Sequence, residues 1–235
     1  MPSWTYYLLI VLGFRLTLYL NRKGYFDRKA RREEVSGDLL GGEVREGVSG
    51  DVPDRPVAFG NKMMWLTVPT TEPGRLGEEL GVKGMEPCNW SMGIRRAYNE
   101  DAVFITPPVD GWCMVVGEGL PYPDVEEESK RLKALLERLS GVYGGAFCFG
   151  SYITVGMECW FRAEEGRMVR SFVYMEGKIF EEEGQPIDGE VPIDARCPAE
   201  QVAGNWCVNP GTLERRTDLG PGLGLVGVLP FENHQ

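Results

Sequence analysis

Histidine is almost absent from this sequence of 235 residues, and the single one, His234, stands next to the C-terminus. One histidine cannot supply an HExxH metal site, and it makes Ser–His–Asp triads and Cys–His dyads very hard to build. There is also no Walker A motif, no G-x-S-x-G motif, and no G-x-G-x-x-G placed between a predicted strand and a predicted helix. We therefore do not expect an enzyme that depends on any of these devices.

Paired cysteine spacings are missing as well, because the six cysteines include no C-x-x-C. Cys113, Cys148 and Cys159 stand inside apolar segments, where cysteine usually serves as a small hydrophobic residue. We expect buried free thiols, with disulfides as the alternative. Without paired spacings or a usable histidine we expect no zinc site, and nothing in the sequence predicts a cofactor.

Positive charge is in short supply, since the formal net charge is −10 and the isoelectric point is near 4.8. Nucleic-acid binding needs a positive face, so we do not expect it. Acidity suits a basic protein partner or plain solubility. Two runs, Glu126-Glu127-Glu128 and Glu181-Glu182-Glu183, are candidate partner-binding residues. Their ordinary interpretation is a helix start and a solvated strand end.

The N-terminus holds the longest apolar run, Trp4–Leu20, interrupted only by Arg15. Spanning a bilayer takes about 20 predominantly apolar residues. Aromatic residues stand at both ends of the run, as in interfacial belts, and a basic cluster follows it. These are the predicted membrane residues: Trp4, Tyr6, Tyr7, Arg15 and Tyr19.

The basic cluster includes Arg22, Lys23, Arg28 and Arg31, and it places the C-terminal side of the run in the cytoplasm by the positive-inside rule. We predict an anchor helix and basic arm over residues 1–34, at the inner membrane, with the rest of the chain facing the cytoplasm. Arg15 argues against a clean span. Two alternatives therefore stay open: an amphipathic helix lying on the membrane or on a partner, and a helix buried in the protein's own fold.

Residues 35–56 are rich in Gly, Asp and Pro without an apolar period, which predicts a linker. Residues 57–235 are predicted to form one α+β domain, with a mainly antiparallel sheet and two or three packed helices. At its centre we expect a hairpin, whose strands Val103–Thr106 and Trp112–Val116 flank a Pro-Pro-Val-Asp-Gly turn. Before the hairpin we predict a strand at Lys62–Val68, a helix from Pro73 to Gly81, and an irregular stretch from Val82 to Asp101. After it we predict a helix capped by Asp124 and Glu127 and ended by Gly141, and then a meander over Ala146–Ala163 (with alternation in Ile153–Arg162) and Met168–Met175. The last predicted elements are a strand at Lys178–Phe180 ended by Glu181–Glu183, a short helix at Pro198–Gly204, and an apolar tail lying along the domain.

Paired carboxylates are the one catalytic device that this chain could assemble without histidine. Asp110 is in the predicted hairpin turn, and Glu158 is on a strand beside Trp160. A cleft that held both carboxylates near a tryptophan would suit a carboxylate-dependent hydrolase. The ordinary interpretation is that Asp110 makes the turn and Glu158 pairs with a nearby arginine.

From Phe59 to Leu213 the sequence resembles a group of uncharacterised bacterial proteins. The matching pieces are AFGNKMMWL, VFITPPVDGWCMVVG, an amphipathic helix, the meander and NWCVNPGTL, and TPPVDGW is the most specific of them. The resemblance implies a shared domain and assigns no activity or catalytic residue.

The leading functional hypothesis from sequence is a membrane-tethered, non-enzymatic binding protein, such as an immunity-type protein that neutralises a toxin or another basic protein. The two glutamate runs would carry the binding. One alternative is the carboxylate-dependent hydrolase at Asp110 and Glu158. A second alternative is a structural component of a membrane-associated assembly.

Overall fold

A computed structural model of the chain describes residues 50–153 and 156–230. These residues belong to the compact unit Ser49–Gln235. The predicted anchor helix, the basic arm and most of the predicted linker lie outside the described residues. Within the described part of the chain, no helix combines the length and the apolar character needed to cross a membrane.

A nine-stranded antiparallel sheet, in the order β2-β9-β3-β4-β1-β5-β6-β7-β8, organises the described residues. Central strands such as β1 are buried on both faces, as their nearly uninterrupted apolar sequences indicate. The strands are β1 (Met63–Val68), β2 (Lys83–Asn89), β3 (Val103–Ile105), β4 (Cys113–Val116), β5 (Gly145–Tyr152), β6 (Met157–Glu164), β7 (Arg167–Met175), β8 (Lys178–Glu183) and β9 (Leu223–Val228).

Helices cover both faces of this sheet, which creates two hydrophobic cores. They are α1 (Pro73–Leu80), α2 (Trp90–Asn99), α3 (Glu126–Tyr143) and α4 (Pro198–Trp206), followed by a short 3₁₀ helix, Pro210–Arg215. Leu76 of α1 and Leu132 of α3 pack into one core, while Trp90 of α2 and Val202 of α4 pack into the other. The α+β architecture with a mainly antiparallel sheet is therefore confirmed, with one α-helix more than predicted in the described residues.

The predicted hairpin is present as β3 and β4, and both strands are interior to the sheet. Asp110 and Gly111 adopt φ values of 51° and 85°, the left-handed conformation that the tight reversal requires. Backbone hydrogen bonds in both directions between Val109 and Trp112 close the turn, at 2.8 and 2.9 Å. Strand β1 and helix α1 also form close to their predicted bounds.

The stretch from Val82 to Asp101, predicted to be irregular, forms β2 and α2. The prediction was wrong because the sequence of β2 shows little apolar alternation and includes Pro87. Both features are tolerated there because β2 is an edge strand of the sheet. Helix α2 has a local start signal, since the side chain of Asn89 accepts a hydrogen bond from the backbone N–H of Met92 at 3.0 Å. Gly93 lets α2 approach the sheet, because a Cβ there would be 2.3 Å from the Phe104 ring.

The start of α2 also depends on a residue from the segment predicted to be a linker. Asp54 accepts hydrogen bonds from the backbone N–H groups of Trp90, at 2.6 Å, and Ser91, at 3.0 Å. Asp54 forms a β-bridge with Gly222 as well. The described end of the predicted linker, from residue 50 onward, therefore packs on the domain and supplies a cap for one of its helices.

The apolar tail was predicted to lie along the domain. It instead enters the sheet as β9, between β2 and β3. Gly224 makes this close fit possible, because a Cβ there would be 2.2 Å from the carbonyl oxygen of Ile105. The glycines that made this segment look irregular in the sequence are thus part of a tightly packed interior strand.

Four boundaries near the predicted site residues differ from expectation. Helix α3 begins at Glu126 after the N-cap Val125, with no side-chain cap, so the predicted Asp124–Glu127 capping box is wrong. The helix continues past Gly141 and ends at the left-handed Gly144. Strand β6 begins at Met157 rather than at residue 153. The strand that was predicted over Lys178–Phe180 continues through Glu181–Glu183. These three residues form the second half of β8 and pair with β7.

Candidate functional site

The two predicted acidic runs lie on neighbouring elements of the fold. The Ser129 hydroxyl of α3 donates a hydrogen bond to the carboxylate of Glu181 on β8. The Lys133 ammonium, one helical turn further on, lies 2.8 Å from carboxylate oxygens of both Glu181 and Glu183. We define the acidic face as the five glutamates on the α3 side of the sheet: Glu126, Glu127, Glu128, Glu181 and Glu183. Glu182, the remaining predicted residue, lies opposite Phe172 and pairs with Arg170, so its side chain is on the other face of the sheet.

Each glutamate of the acidic face has a basic neighbour, but two of the cations are shared. Lys130 lies 2.7 Å from Glu126 and 3.4 Å from Glu127. Lys133 forms ion pairs with both Glu181 and Glu183. Arg131 pairs with Glu128 at 2.8 Å. Five carboxylates therefore share three cations, and the face keeps a negative balance.

The exposed end of the acidic face is the first turn of α3. The side chains of Glu126 and Glu127 are 79% and 81% exposed. A hydrogen bond from Lys130 and its positive charge hold the pKa of Glu126 below its ordinary value, so this carboxylate is ionised at neutral pH. Both carboxylates are accessible to a partner, because ion pairs between exposed side chains are weak and exchange readily with solvent.

Asp110, predicted as one half of a catalytic pair, is held in a surface ion pair. Both of its carboxylate oxygens accept hydrogen bonds from the Arg216 guanidinium, at 2.8 and 3.0 Å. Arg216 also bonds Asp218, and these bonds lower the pKa of Asp110 and lower that of Asp218 to about 2. Asp110 thus fixes the hairpin turn to the segment that follows the 3₁₀ helix.

Glu158 has different surroundings. Its carboxylate accepts hydrogen bonds from the Ser151 hydroxyl at 2.7 Å and from the backbone N–H of Ala199 at 3.2 Å. Burial raises the pKa of Glu158, and these two hydrogen bonds offset part of that effect. The predicted pairing of Glu158 with an arginine does not occur among the contacts of the described residues.

Asp110 and Glu158 are not brought together. The turn that holds Asp110 lies at the end of the sheet where the Trp112 ring packs on Phe147, at 5.2 Å between centroids, and Phe147 is opposite Arg162 on β6. Glu158 is four residues from Arg162 on that strand, which corresponds to roughly 13 Å along an extended chain. The shared cleft that the hydrolase hypothesis requires is therefore not formed by these two residues.

A titratable neighbour of Glu158 is Glu200, which sequence reasoning missed. Glu200 is in the first turn of α4, and its carboxylate lies against Gly60 and Gly211. Burial raises its pKa, and the negative charge of Glu158 raises it further, although Arg196 acts in the opposite direction. No local signal in the sequence could have found this pair, because only the packing of α4 on the sheet brings the two carboxylates together.

We predict that Glu200→Gln stabilises the protein at neutral pH. A buried carboxyl whose pKa is raised in the folded state stabilises the protein most below its unfolded pKa, and that stabilisation is lost as pH rises through the folded pKa. An uncharged glutamine avoids this loss of stability at neutral pH. The variant should raise Tm at pH 7.5 by about 2–4 °C, the shift that about 1 kcal/mol produces in a chain of this size. Thermal unfolding at pH 7.5 and at pH 4 measures this, and the gain should vanish at pH 4.

The matched control is Glu214→Gln, an exposed glutamate on the adjacent 3₁₀ helix, which should leave Tm unchanged at both pH values. A Glu200→Gln variant that lost stability at pH 7.5 would contradict the described surroundings of this carboxyl.

The remaining predicted features are structural or lie elsewhere. The six cysteines are all free thiols, and Cys113, Cys148 and Cys159 are buried as predicted. Residues 50–153 and 156–230 contain no group of three His, Cys, Asp or Glu side chains placed to hold a metal ion. The predicted membrane residues Trp4, Tyr6, Tyr7, Arg15 and Tyr19 lie outside the described residues.

The two segments that carry the sequence resemblance meet in the structure. Trp112 of the TPPVDGW segment packs on Phe147, and the Trp206 ring of the NWCVNPGTL segment packs on the same phenylalanine at 6.0 Å. The Arg162 guanidinium lies over the rings of Phe147 and Trp206, at 5.0 and 5.3 Å. These contacts give both segments a structural role, because they close one end of the core that also holds Trp90 and Val202.

Comparison of the chain with protein-family models, with curated proteins and with solved structures found no match.

Proposed function

We propose that this chain is a membrane-tethered, non-enzymatic binding protein that uses its acidic face to neutralise a basic protein partner, in the manner of an immunity protein. The observation that carries the proposal is the junction of Ser129 and Lys133 with Glu181. It joins Glu181 and Glu183 of β8 to the glutamate run of α3 in one surface. A continuous surface can contact one partner with all of its charges, whereas two distant patches cannot.

The charge arrangement supports a binding role. Glu126 and Glu127 are the most exposed carboxylates of the acidic face, so they can reach a partner and steer its approach. Glu181 is largely buried and tied to α3, so it fixes the two elements relative to each other. Exposed, ionised carboxylates on a rigid base favour association with a basic surface.

The tether rests on the sequence of residues 4–20 and the basic cluster that follows it. An anchor of this kind would attach the chain to the inner membrane. A partner that reaches the membrane would then meet the binding protein at a high effective concentration.

Site-specific photo-crosslinking in the cells that make the protein tests this proposal. A photo-reactive phenylalanine replaces Glu127 in the full-length chain, and the crosslinked species in the membrane fraction are identified by mass spectrometry. We expect one basic protein to be crosslinked from this position. The control places the same residue at Glu78, an exposed glutamate on α1, from which we expect no crosslink to that protein.

Three outcomes would overturn the proposal in whole or in part. Recovery of no protein from Glu127 would exclude a partner at the acidic face. Recovery of the same protein from Glu127 and Glu78 would show contact without a defined surface. Recovery of the full-length chain in the soluble fraction would refute the tether.

A further inference from the structure

The outer edge of β8 has no partner strand in the described residues, because β8 is the last strand of the sheet. Two consecutive apolar side chains are exposed on this strand: Ile179 is 56% exposed and Phe180 is 48% exposed. An open edge with large apolar side chains is a template for pairing with another chain, and proteins usually protect or cover such an edge. The side chains of β8 decide which chain can cover it.

A β-bulge sets which side chains of β8 share a face of the sheet. Glu181 lies opposite Val173 and Ile179 lies opposite Tyr174, so Phe180 is the extra residue of the bulge. Val173 packs in the core beneath α3, whereas Tyr174 packs against the core beneath α4. The α3 face of β8 therefore carries Lys178, Glu181 and Glu183, and the opposite face carries Ile179 and Glu182.

The charges at the two ends of β8 are opposite in sign and lie on the same face. The three glutamates of the strand already have cations, which come from α3 and β7. Lys178, at the start of the strand, is exposed and forms no ion pair with any described residue. At the end of the strand, the Glu183 side chain is 64% exposed and shares its cation with Glu181. An antiparallel arrangement makes this edge complementary to itself.

A second copy of β8, placed antiparallel along the open edge, brings these opposite charges together. Lys178 then lies opposite Glu183 of the second copy, on the α3 face. In the same register Ile179 lies opposite Glu182 of that copy, on the other face. Both pairs join side chains of one face only because the bulge shifts the alternation by one residue. Side-chain face and hydrogen-bonding direction alternate together along a strand, so this register also matches the backbone groups.

We propose that the chain forms a twofold dimer in which the two β8 strands pair antiparallel, with Lys178 of each copy opposite Glu183 of the other. A twofold interface is isologous, so this ion pair occurs twice. The pairing covers the exposed apolar pair and removes the open edge. A regular strand does not match the bulged edge, whereas a second copy carries the same bulge. The inference goes beyond the proposed function, since Glu126 and Glu127 of α3 take no part in the pairing.

Exchange of the two charges tests the inference on the full-length chain in mild detergent. Analytical ultracentrifugation over a concentration series should show a monomer–dimer equilibrium for the native chain. Lys178→Glu should raise the dissociation constant of the dimer about tenfold, since it turns two ion pairs into two repulsive contacts. Glu183→Lys should have a similar effect, and the double variant Lys178→Glu, Glu183→Lys should recover the native value. Thermal unfolding verifies that each variant folds.

Lys83→Glu is the matched control, because Lys83 is an exposed lysine that begins β2, the strand at the opposite edge of the sheet. It should leave the dissociation constant unchanged. Zero-length carbodiimide crosslinking of mixed isotope-labelled and unlabelled chains gives a second readout. We expect mixed-label peptides that join Lys178 to Glu183, whereas Lys130 should be joined to Glu126 only within single chains.

Three results would overturn the inference. A native chain that stays monomeric over the concentration series has no such dimer. A dimer that Lys178→Glu does not weaken forms through another part of the chain. A double variant that remains as weak as the single ones refutes the pairing of Lys178 with Glu183. None of these results bears on the proposed function, which the crosslink from Glu127 tests separately.

Discussion

Replacement of Arg170 by methionine is expected to lower the free energy of unfolding by about 3–5 kcal/mol, the cost of breaking a buried ion pair from one side. Arg170 is only 2% exposed. Its guanidinium bonds both carboxylate oxygens of Glu190, at 2.8 and 3.1 Å, and the carbonyl of Gly184 at 3.0 Å. Without Arg170, Glu190 would keep a buried charge without a cation. Urea denaturation measures the loss.

Arg167→Met is the matched control, because Arg167 begins the same strand but is exposed, so its replacement should change the free energy of unfolding by less than about 0.5 kcal/mol. Adding Glu190→Gln to Arg170→Met should recover part of the loss, since it removes the uncompensated charge. A loss below about 1 kcal/mol for Arg170→Met would contradict the described ion pair.

Replacement of Lys133 by methionine should cost about 3 kcal/mol, because it leaves the largely buried Glu181 with the Ser129 hydroxyl but without its cation. Burial tends to raise the pKa of Glu181, but the hydrogen bonds from Lys133 and Ser129 outweigh it and hold the pKa below its ordinary value. Urea denaturation at pH 7 gives the size of the effect.

The pH dependence of this loss has a definite sign. A carboxyl with a lowered pKa in the folded state stabilises the protein above its unfolded pKa, near 4.5, and that stabilisation is lost as pH falls through the folded pKa. The difference between the native chain and Lys133→Met should therefore shrink in acid. Lys130→Met, which removes an exposed lysine from the same helix, should show little change at any pH. Equal effects of the two substitutions would refute the structural role of Lys133.

Local patterns predicted the elements whose signals are complete within a few residues. The hairpin follows from Asp110-Gly111 between two apolar runs, and α3 follows from leucines at helical spacing. The β6–β7 turn follows from Glu165-Gly166, both with positive φ. Each of these elements has its turn residues and its apolar period close together in the chain.

Elements defined by distant partners could not be predicted in the same way. Strand β9 pairs with β2 and β3, more than 100 residues earlier in the chain, and glycine is required there by the approach of Ile105. The first turn of α2 depends on Asp54, which the sequence places in a linker. Neither contact leaves a periodic signal, because each one is set by tertiary packing.

The same limit applies to the candidate sites. Sequence reasoning identified Glu158 but matched it with Asp110, since both are acidic residues near tryptophans, whereas the structure gives Glu158 the neighbour Glu200. The two glutamate runs were found from composition alone. Their adjacency depends on how α3 packs across β7 and β8, and Ser129 and Lys133 had no signal that marked them as the junction.

The most direct test of the central claim is the association rate of the full-length chain with the basic protein crosslinked at Glu127. Surface plasmon resonance compares the native chain with the double variant Glu126→Lys, Glu127→Lys and with the control Glu78→Lys. We predict that the double variant lowers the association rate at least tenfold at low salt, that added salt reduces this difference, and that the control matches the native chain. Equal association rates for the native chain and the double variant would contradict binding through the acidic face.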